Sequence, residues 1–256
     1  MSGAFHIGAI GLDAQQRALD TIANNISNIN TTGFKRTEVR FSEVLASQPT
    51  DGVAQADLGD GEMANAGVRS DPLYLLQEQG RIDSTGNAND IAVNGAGFIE
   101  LMGPGGQSLL WRGGSLKVGA DGELMTTSGL ELKAAISIPH DAKAVEIGSD
   151  GVVRAKTDTD EMVEIGQIML VKVEDPSAVE RVDGGFYRVL EEAKLVEAKP
   201  GEDGTGLLIQ GSLERSTVEL NEEMVQMLMV QRAYAANAQV IQAADQLMSL
   251  ANGLRR

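Results

Sequence analysis

The last forty or so residues, from Ser216 to Arg256, read as one long helix. Ser216 followed three residues later by Glu219 is a capping-box start. Asn252-Gly253 supplies a stop, and no proline intervenes. At the ordinary rise per residue such a helix is about 54 Å long, too long for a compact domain to enclose. Leu220, Met227, Tyr234, Ile241 and Met248 recur every seventh residue, with Val240, Leu247 and Leu254 as an adjacent row. This spacing predicts a coiled-coil seam. The remaining positions are unusual for a solvated face. From Met224 to Asn252 the charged residues are Arg232 and Asp245 alone, amides such as Gln226, Gln231, Asn237 and Gln239 supply the polarity, and alanines fill the gaps. A helix of this kind expects protein on most of its sides, since a solvated face is normally charged.

The other end of the chain matches it. Phe5, Leu12, Leu19 and Ile26 recur every seventh residue, with Ile22 and Ile29 alongside. Asp13, Arg17 and Asp20 are the full charges in residues 3–34, and Asp13 and Arg17 stand one helical turn apart, where they can pair. The chain therefore begins and ends in weakly charged heptad helices. They are expected to pair with each other and with copies in neighbouring subunits; an intramolecular hairpin capping one globule is the alternative.

Composition bounds the function. With 21 basic and 37 acidic residues the net charge is −16, which argues against nucleic acid and anionic membrane surfaces as partners. There is no cysteine, so disulfides, thiolate metal sites and a cysteine nucleophile are excluded. No apolar window reaches the length of a membrane span. The N-terminus has no Lys or Arg before Arg17, and Asp13 interrupts its apolar run, so no cleaved signal peptide is expected.

Between the helices the pattern changes twice. Residues 42–70 are rich in glycine, alanine and acid and show no clean periodicity. From Leu73 to Gln210 the signals are β. Asp-Gly recurs at 121–122, 150–151, 183–184 and 203–204 beside apolar runs. Strand candidates are 91–93, 98–101, 108–111, 136–138, 145–147, 152–155, 167–173, 185–189 and 207–210. Chemistry is sparse. His6 lies on a heptad helix and His140 in a turn, and no metal-binding helix motif is present. Asp158, Asp160 and Glu161 read as an acidic loop before they read as a cation site. No catalytic, cofactor or metal site is expected.

Near the end of the first helix comes Ala23-Asn24-Asn25-Ile26-Ser27-Asn28, then Thr31-Thr32-Gly33-Phe34-Lys35-Arg36. This resembles the N-terminal signature of the bacterial flagellar basal-body rod and hook protein family. Gly11-Leu12-Asp13-Ala14-Gln15-Gln16 resembles the distal-rod members in particular. Val230-Gln231-Arg232-Ala233-Tyr234, with Asn237 after it, resembles the family's C-terminal signature. Asn89-Asp90-Ile91-Ala92-Val93 through Phe98 resembles its shared β-domain motif, and Trp111-Arg112 stands where the family has Thr-Arg.

The resemblance implies a non-enzymatic rod subunit, most like the distal rod, that polymerises through its terminal helices into a torque-bearing, subunit-conducting tube. The implied partners are copies of itself, other rod proteins and the hook protein, the surrounding basal-body rings and the flagellar type III export apparatus. The implied location is the rod crossing the periplasm. A hook or proximal rod protein is the nearer alternative, and a β-domain enzyme or carbohydrate binder with a helical dimerisation hairpin the farther one. The expected interface residues are Phe5, Leu12, Leu19, Ile22, Asn24, Asn25, Ile26 and Gly33 at one end, and Leu220, Met227, Arg232, Tyr234, Asn237, Ile241 and Met248 at the other. The expected fold is α+β: an N-terminal helix over 1–35, an extended connecting loop over 36–72, a central antiparallel β domain over 73–215, and a C-terminal helix over 216–256, the two helices paired as a coiled coil. Within the connecting loop, residues 48–68 are expected to brace neighbouring subunits.

Overall fold

A computed structural model describes residues 2–44, 67–76, 78–158, 161–175, 178–182, 184–190 and 194–253. The fold is α+β, with a large β domain and a helix at each end. Two compact units emerge: one of Met1–Ile26, Thr37–Leu73 and Glu219–Arg256, the other of Ser27–Arg36 and Tyr74–Val218. The chain passes between them four times. The stretch 27–36, expected to continue the N-terminal helix domain, clusters with the β domain instead.

The first unit holds α1 (Ser2–Ser27), β1 (Thr37–Val44), β2 (Gly67–Tyr74) and α2 (Leu220–Gly253). β1 and β2 pair as a two-stranded sheet. The flanks of the expected connecting loop are thus strands. Thr37-Glu38-Val39-Arg40-Phe41 has the alternation of a strand, and β1 follows it. Residues 45–66, most of that loop and of the expected brace, lie outside the described residues.

α1 and α2 run antiparallel. The Cβ that Gly8 lacks would lie 2.8 Å from Cγ1 of Ile241, and that of Gly11 3.1 Å from Nδ2 of Asn237. At the far end Asn25 Nδ2 donates to Glu223 Oε2 at 3.2 Å. Glycine at position 8 is what lets the helix axes approach this closely. The buried face of α1 is Ala14, Ala18, Ile22 and Asn25, at the i, i+4, i+8, i+11 spacing of one helical stripe. α2 starts at Leu220, three residues later than a capping box with Ser216 as N-cap implies. Thr217 explains the delay: its N–H donates to Phe34 O at 3.1 Å and its Oγ1 accepts from Arg36 N at 2.8 Å. Those bonds hold residues 216–218 in the β unit.

The second unit carries β3 (Ile82–Ser84), β4 (Asp90–Asn94), β5 (Phe98–Met102), β6 (Ser108–Trp111), β7 (Gly113–Val118), β8 (Leu124–Thr126) and β9 (Glu131–Leu132). There follow β10 (Ala142–Ile147), β11 (Val152–Thr157), β12 (Met162–Gln167), β13 (Leu170–Val173) and β14 (Val179–Val182). β15 (Phe186–Val189), β16 (Leu195–Ala198), β17 (Leu207–Gln210) and β18 (Ser212–Glu214) complete it. An eleven-stranded sheet runs β14-β15-β6-β5-β9-β8-β7-β4-β17, with β13 joining β5 to β16. β10-β11-β12 and β18-β3 form smaller sheets, and all the described pairings in this unit are antiparallel.

Three of the four Asp-Gly positions fall in hairpins, β7–β8, β10–β11 and β14–β15; the fourth joins β16 to β17, which pair elsewhere. Residues 136–138 form only an isolated bridge through Ser137, and the expected strand 167–173 breaks between Gln167 and Leu170. The core gathers Ile91, Val93, Ile99, Leu101, Leu132, Val153, Leu170 and Leu208, all nearly inaccessible. Each such side chain contributes about 1.5–3 kcal/mol on burial, so this unit holds a substantial apolar core of its own.

Candidate assembly surface

In the helical unit, apolar surface remains uncovered. α2 turns Glu223, Met227, Val230, Asn237, Ile241 and Ala244 inward, buried or half-buried. The expected row through Met227 and Ile241 therefore lies on the packed side, with Tyr234 and Leu220 more open. The row expected beside it does not. Val240 is 62 % exposed and Leu247 67 %, and they share the far side with Met229 at 65 % and Leu250 at 63 %. Met224, Val225 and Leu228 are exposed too. The reason is geometric: at 100° per residue Val240 sits about 100° round the helix from Ile241, so adjacency in sequence carries it away from the seam.

The other expected interface residues divide. Ile22 and Asn25 are buried within the unit, and Asn237 and Ile241 face α1. Leu12, Leu19 and Ile26 are half-buried, Asn24 and Arg232 exposed. The backbones of Phe5 and Met248 belong to α1 and α2; their side chains lie outside what is described. Asn25 does more than face a helix. Its Nδ2 donates to Thr37 O at 2.9 Å, and its Oδ1 accepts from Thr37 N at 3.1 Å. A side-chain amide thus stands in for a strand partner and fixes the start of β1.

Gly33 lies in the β unit, above a buried charge cluster. Its φ is +67°, and its N–H donates to Glu214 O at 2.8 Å. Two residues on, Lys35 Nζ donates to Glu214 Oε1 at 2.5 Å and to Glu78 O. Arg112 Nε donates to the second oxygen, Oε2, at 3.0 Å, and Gly80 N to Oε1 at 2.8 Å. The rest of the guanidinium is occupied: Nη1 donates to Gly97 O at 2.5 Å, Nη2 to Gln79 Oε1 at 3.1 Å and Val93 O at 3.2 Å. Lys35 and Glu214 side chains are 0 % and 1 % exposed. Burial first, then the Arg112 charge, lower the Lys35 ammonium to about 8. Lys35 N also donates to Tyr187 Oη at 3.2 Å, and burial pushes that phenol up to about 12. Arg181 lies 3.5 Å over the Phe34 ring, a cation–π contact.

One carboxylate on β18 thus ties together the turn after α1, the segment before β3 and the end of β6. Sequence reasoning named Lys35 and Arg112 only as motif letters and missed Glu214, which no periodicity or spacing marks. Of the acidic loop, Asp158 pairs with Lys143 at 3.0 Å and Asp160 lies outside the described residues. Among the described residues no group of three His, Asp or Glu is placed to hold a metal, and no helix is long and apolar enough to cross a membrane.

Three family models match in chain order. "Flagella basal body rod protein" covers residues 5–35, "Flagellar hook protein FlgE/F/G D1 domain" covers 92–155, and "Flagellar basal body rod FlgEFG protein C-terminal" covers 209–254. The chain is 34 % identical to the flagellar basal-body rod protein FlgG of Borreliella burgdorferi, over 100 % of both chains. It is 31 % identical to that of Caulobacter vibrioides, over 98 % of this chain and 99 % of the relative. To the flagellar hook protein FlgE of Rhizobium meliloti it is 32 % identical, over 64 % of this chain and 38 % of that protein.

Proposed function

The chain belongs to the flagellar basal-body rod protein family, and from that premise we propose that it polymerises through its terminal helices into the helical tube of the distal rod. It is a structural subunit of the flagellar rod. As we read it, the two helices associate as a coiled coil, and the tube crosses the periplasm, transmits torque and conducts exported subunits. Its partners are further copies, neighbouring rod proteins, the hook protein, the enclosing rings and the type III export apparatus. Relatives named as rod proteins match from end to end, whereas the hook protein matches over 38 % of its own length; that favours rod over hook.

The observation that carries this reading is the outward side of α2, where Met229, Val240, Leu247 and Leu250 leave most of their surface open. Exposed apolar patches of this kind mark association sites. The test is electron microscopy and sedimentation of the full chain at rising concentration, beside a Met229→Glu, Leu250→Glu double variant. The unmodified chain is expected to form tubes or protofilaments, and the variant to stay monomeric with an unchanged melting profile of its β unit. A discrete dimer at every concentration overturns the reading.

A further inference from the structure

α2 carries a second heptad row. Met229, Ala236, Ala243 and Leu250 recur every seventh residue on the side away from α1, flanked by Val240 and Leu247, and all six are exposed. α1 has an open row of its own: Leu12, Leu19 and Ile26, at the same period and half-buried. The two rows differ in bulk. The middle of the α2 row is alanine, leaving a shallow channel between Met229 and Leu250, while the α1 row is branched and large throughout.

They differ in charge as well. Arg232 lies beside the α2 row, exposed, and no carboxylate pairs with it among the described residues. On α1, Asp13 is already matched by Arg17 at 3.0 Å, whereas Asp20, next to Leu19, accepts from the neutral amide of Gln16 at 3.0 Å. One row offers a cation with no ion partner among the described residues, the other an anion held by a neutral amide alone.

Resting on the reading that this chain polymerises, we propose that the outward row of α2 in one subunit seats against the Leu12–Leu19–Ile26 row of α1 in a second copy, Arg232 meeting Asp20. Equal periods let two helices interdigitate along their length. The surfaces joined are different, so the contact is heterologous and propagates as a ring or an open helix rather than closing on two copies. A parallel two-fold contact of the α2 row with itself would bring Arg232 towards Arg232, which like-charge repulsion disfavours, and an antiparallel one would set Arg232 against Leu247, with no anion to meet it.

The chain has no cysteine, so introduced pairs report cleanly. A full chain carrying Leu19→Cys and Ala236→Cys, oxidised after assembly, is expected to give a ladder of dimers, trimers and higher species, and neither single variant to cross-link. Charge exchange supplies the second arm. Arg232→Asp and Asp20→Arg should each lower polymer yield about tenfold, and the two together should restore most of it, as coupled neighbours do. Dimers from Ala236→Cys alone overturn the proposal in favour of α2 self-pairing. Polymer without a ladder, or a charge-exchanged chain no better than the worse single variant, overturns the pairing and leaves the rod-subunit reading standing. An unmodified chain that never polymerises overturns both.

Discussion

The two units of this chain divide charge and apolar surface differently. The β unit buries several charges, Lys35, Glu214 and Arg112 joined in one cluster, and its core closes over large apolar side chains. The helical unit buries Glu223 but leaves its Asp13–Arg17 pair about two-thirds exposed and turns methionine, valine and leucine outward. A buried ion pair costs desolvation that only good geometry and further hydrogen bonds offset; an exposed apolar row marks a surface open to association. The β unit closes over its own core, and the helical unit leaves apolar surface that the proposed polymer would cover.

The largest expected effect tests the β unit. Glu214→Leu strands two buried cations, and removing one member of a buried ionic network costs about 3–5 kcal/mol. Arg17→Ala in the helical unit removes an exposed i, i+4 pair, worth roughly 0–1 kcal/mol. Thermal or urea unfolding of each variant measures both. Similar losses from the two would erase the contrast between the units.

That contrast was partly legible beforehand. Heptad spacing located both helices, and Asp-Gly marked three hairpins, because those signals are local. The Lys35–Glu214 bond joins residues 179 apart, and nothing local at Glu214 announces it. The capping box at Ser216 misled for the same reason: Thr217 is committed to Phe34 and Arg36, far away in sequence, and tertiary bonding outweighs a local cap. On α1 the leucine row drew the eye, yet Ala14 and Ala18 form the buried face, since helices that approach closely need small residues where they touch. Sequence spacing sets Val240 and Leu247 beside the seam, and helical geometry carries each about 100° round, onto exposed surface. Short strands such as β9, of two residues, leave no periodic trace.

The next effect sharpens the comparison through pH. Lys35 is held at about 8 against the ordinary 10.5, by burial first and by Arg112 next. Between those values the unfolded chain keeps a proton that the folded chain has released, so stability rises with pH across that window. Tyr187 acts the other way: burial pushes its phenol from 10.0 to about 12, so above pH 10 the unfolded state ionises first and stability falls. The β unit's urea midpoint should therefore be highest near pH 10, with a gain over pH 8 of roughly 2 kcal/mol. Lys35→Met should abolish the rising limb and spare the falling one. A midpoint that declines steadily from pH 8 would rule out a depressed lysine.

The smallest effect separates two reasons for one glycine. Gly33 has a left-handed φ of +67°, and a Cβ there would lie 3.1 Å from Cβ of Arg112. Conformation and space both resist a side chain, but in different ways. Asparagine tolerates left-handed backbone far better than β-branched residues do, yet adds the same Cβ as alanine. If φ dominates, Gly33→Asn should cost a few tenths of a kcal/mol, Gly33→Ala about 1 kcal/mol, and Gly33→Val somewhat more, within the roughly 1–3 kcal/mol of local backbone strain. If the Arg112 contact dominates, Asn and Ala should cost the same. Denaturant midpoints of the three variants decide it. Because Gly33 N–H donates to the backbone of the residue that holds Lys35 and Arg112, a conformational cost here also loosens the buried cluster. Gly33→Val should then lower polymer yield as well as the β unit's midpoint, whereas substitutions on the outward side of α2 should lower polymer yield alone.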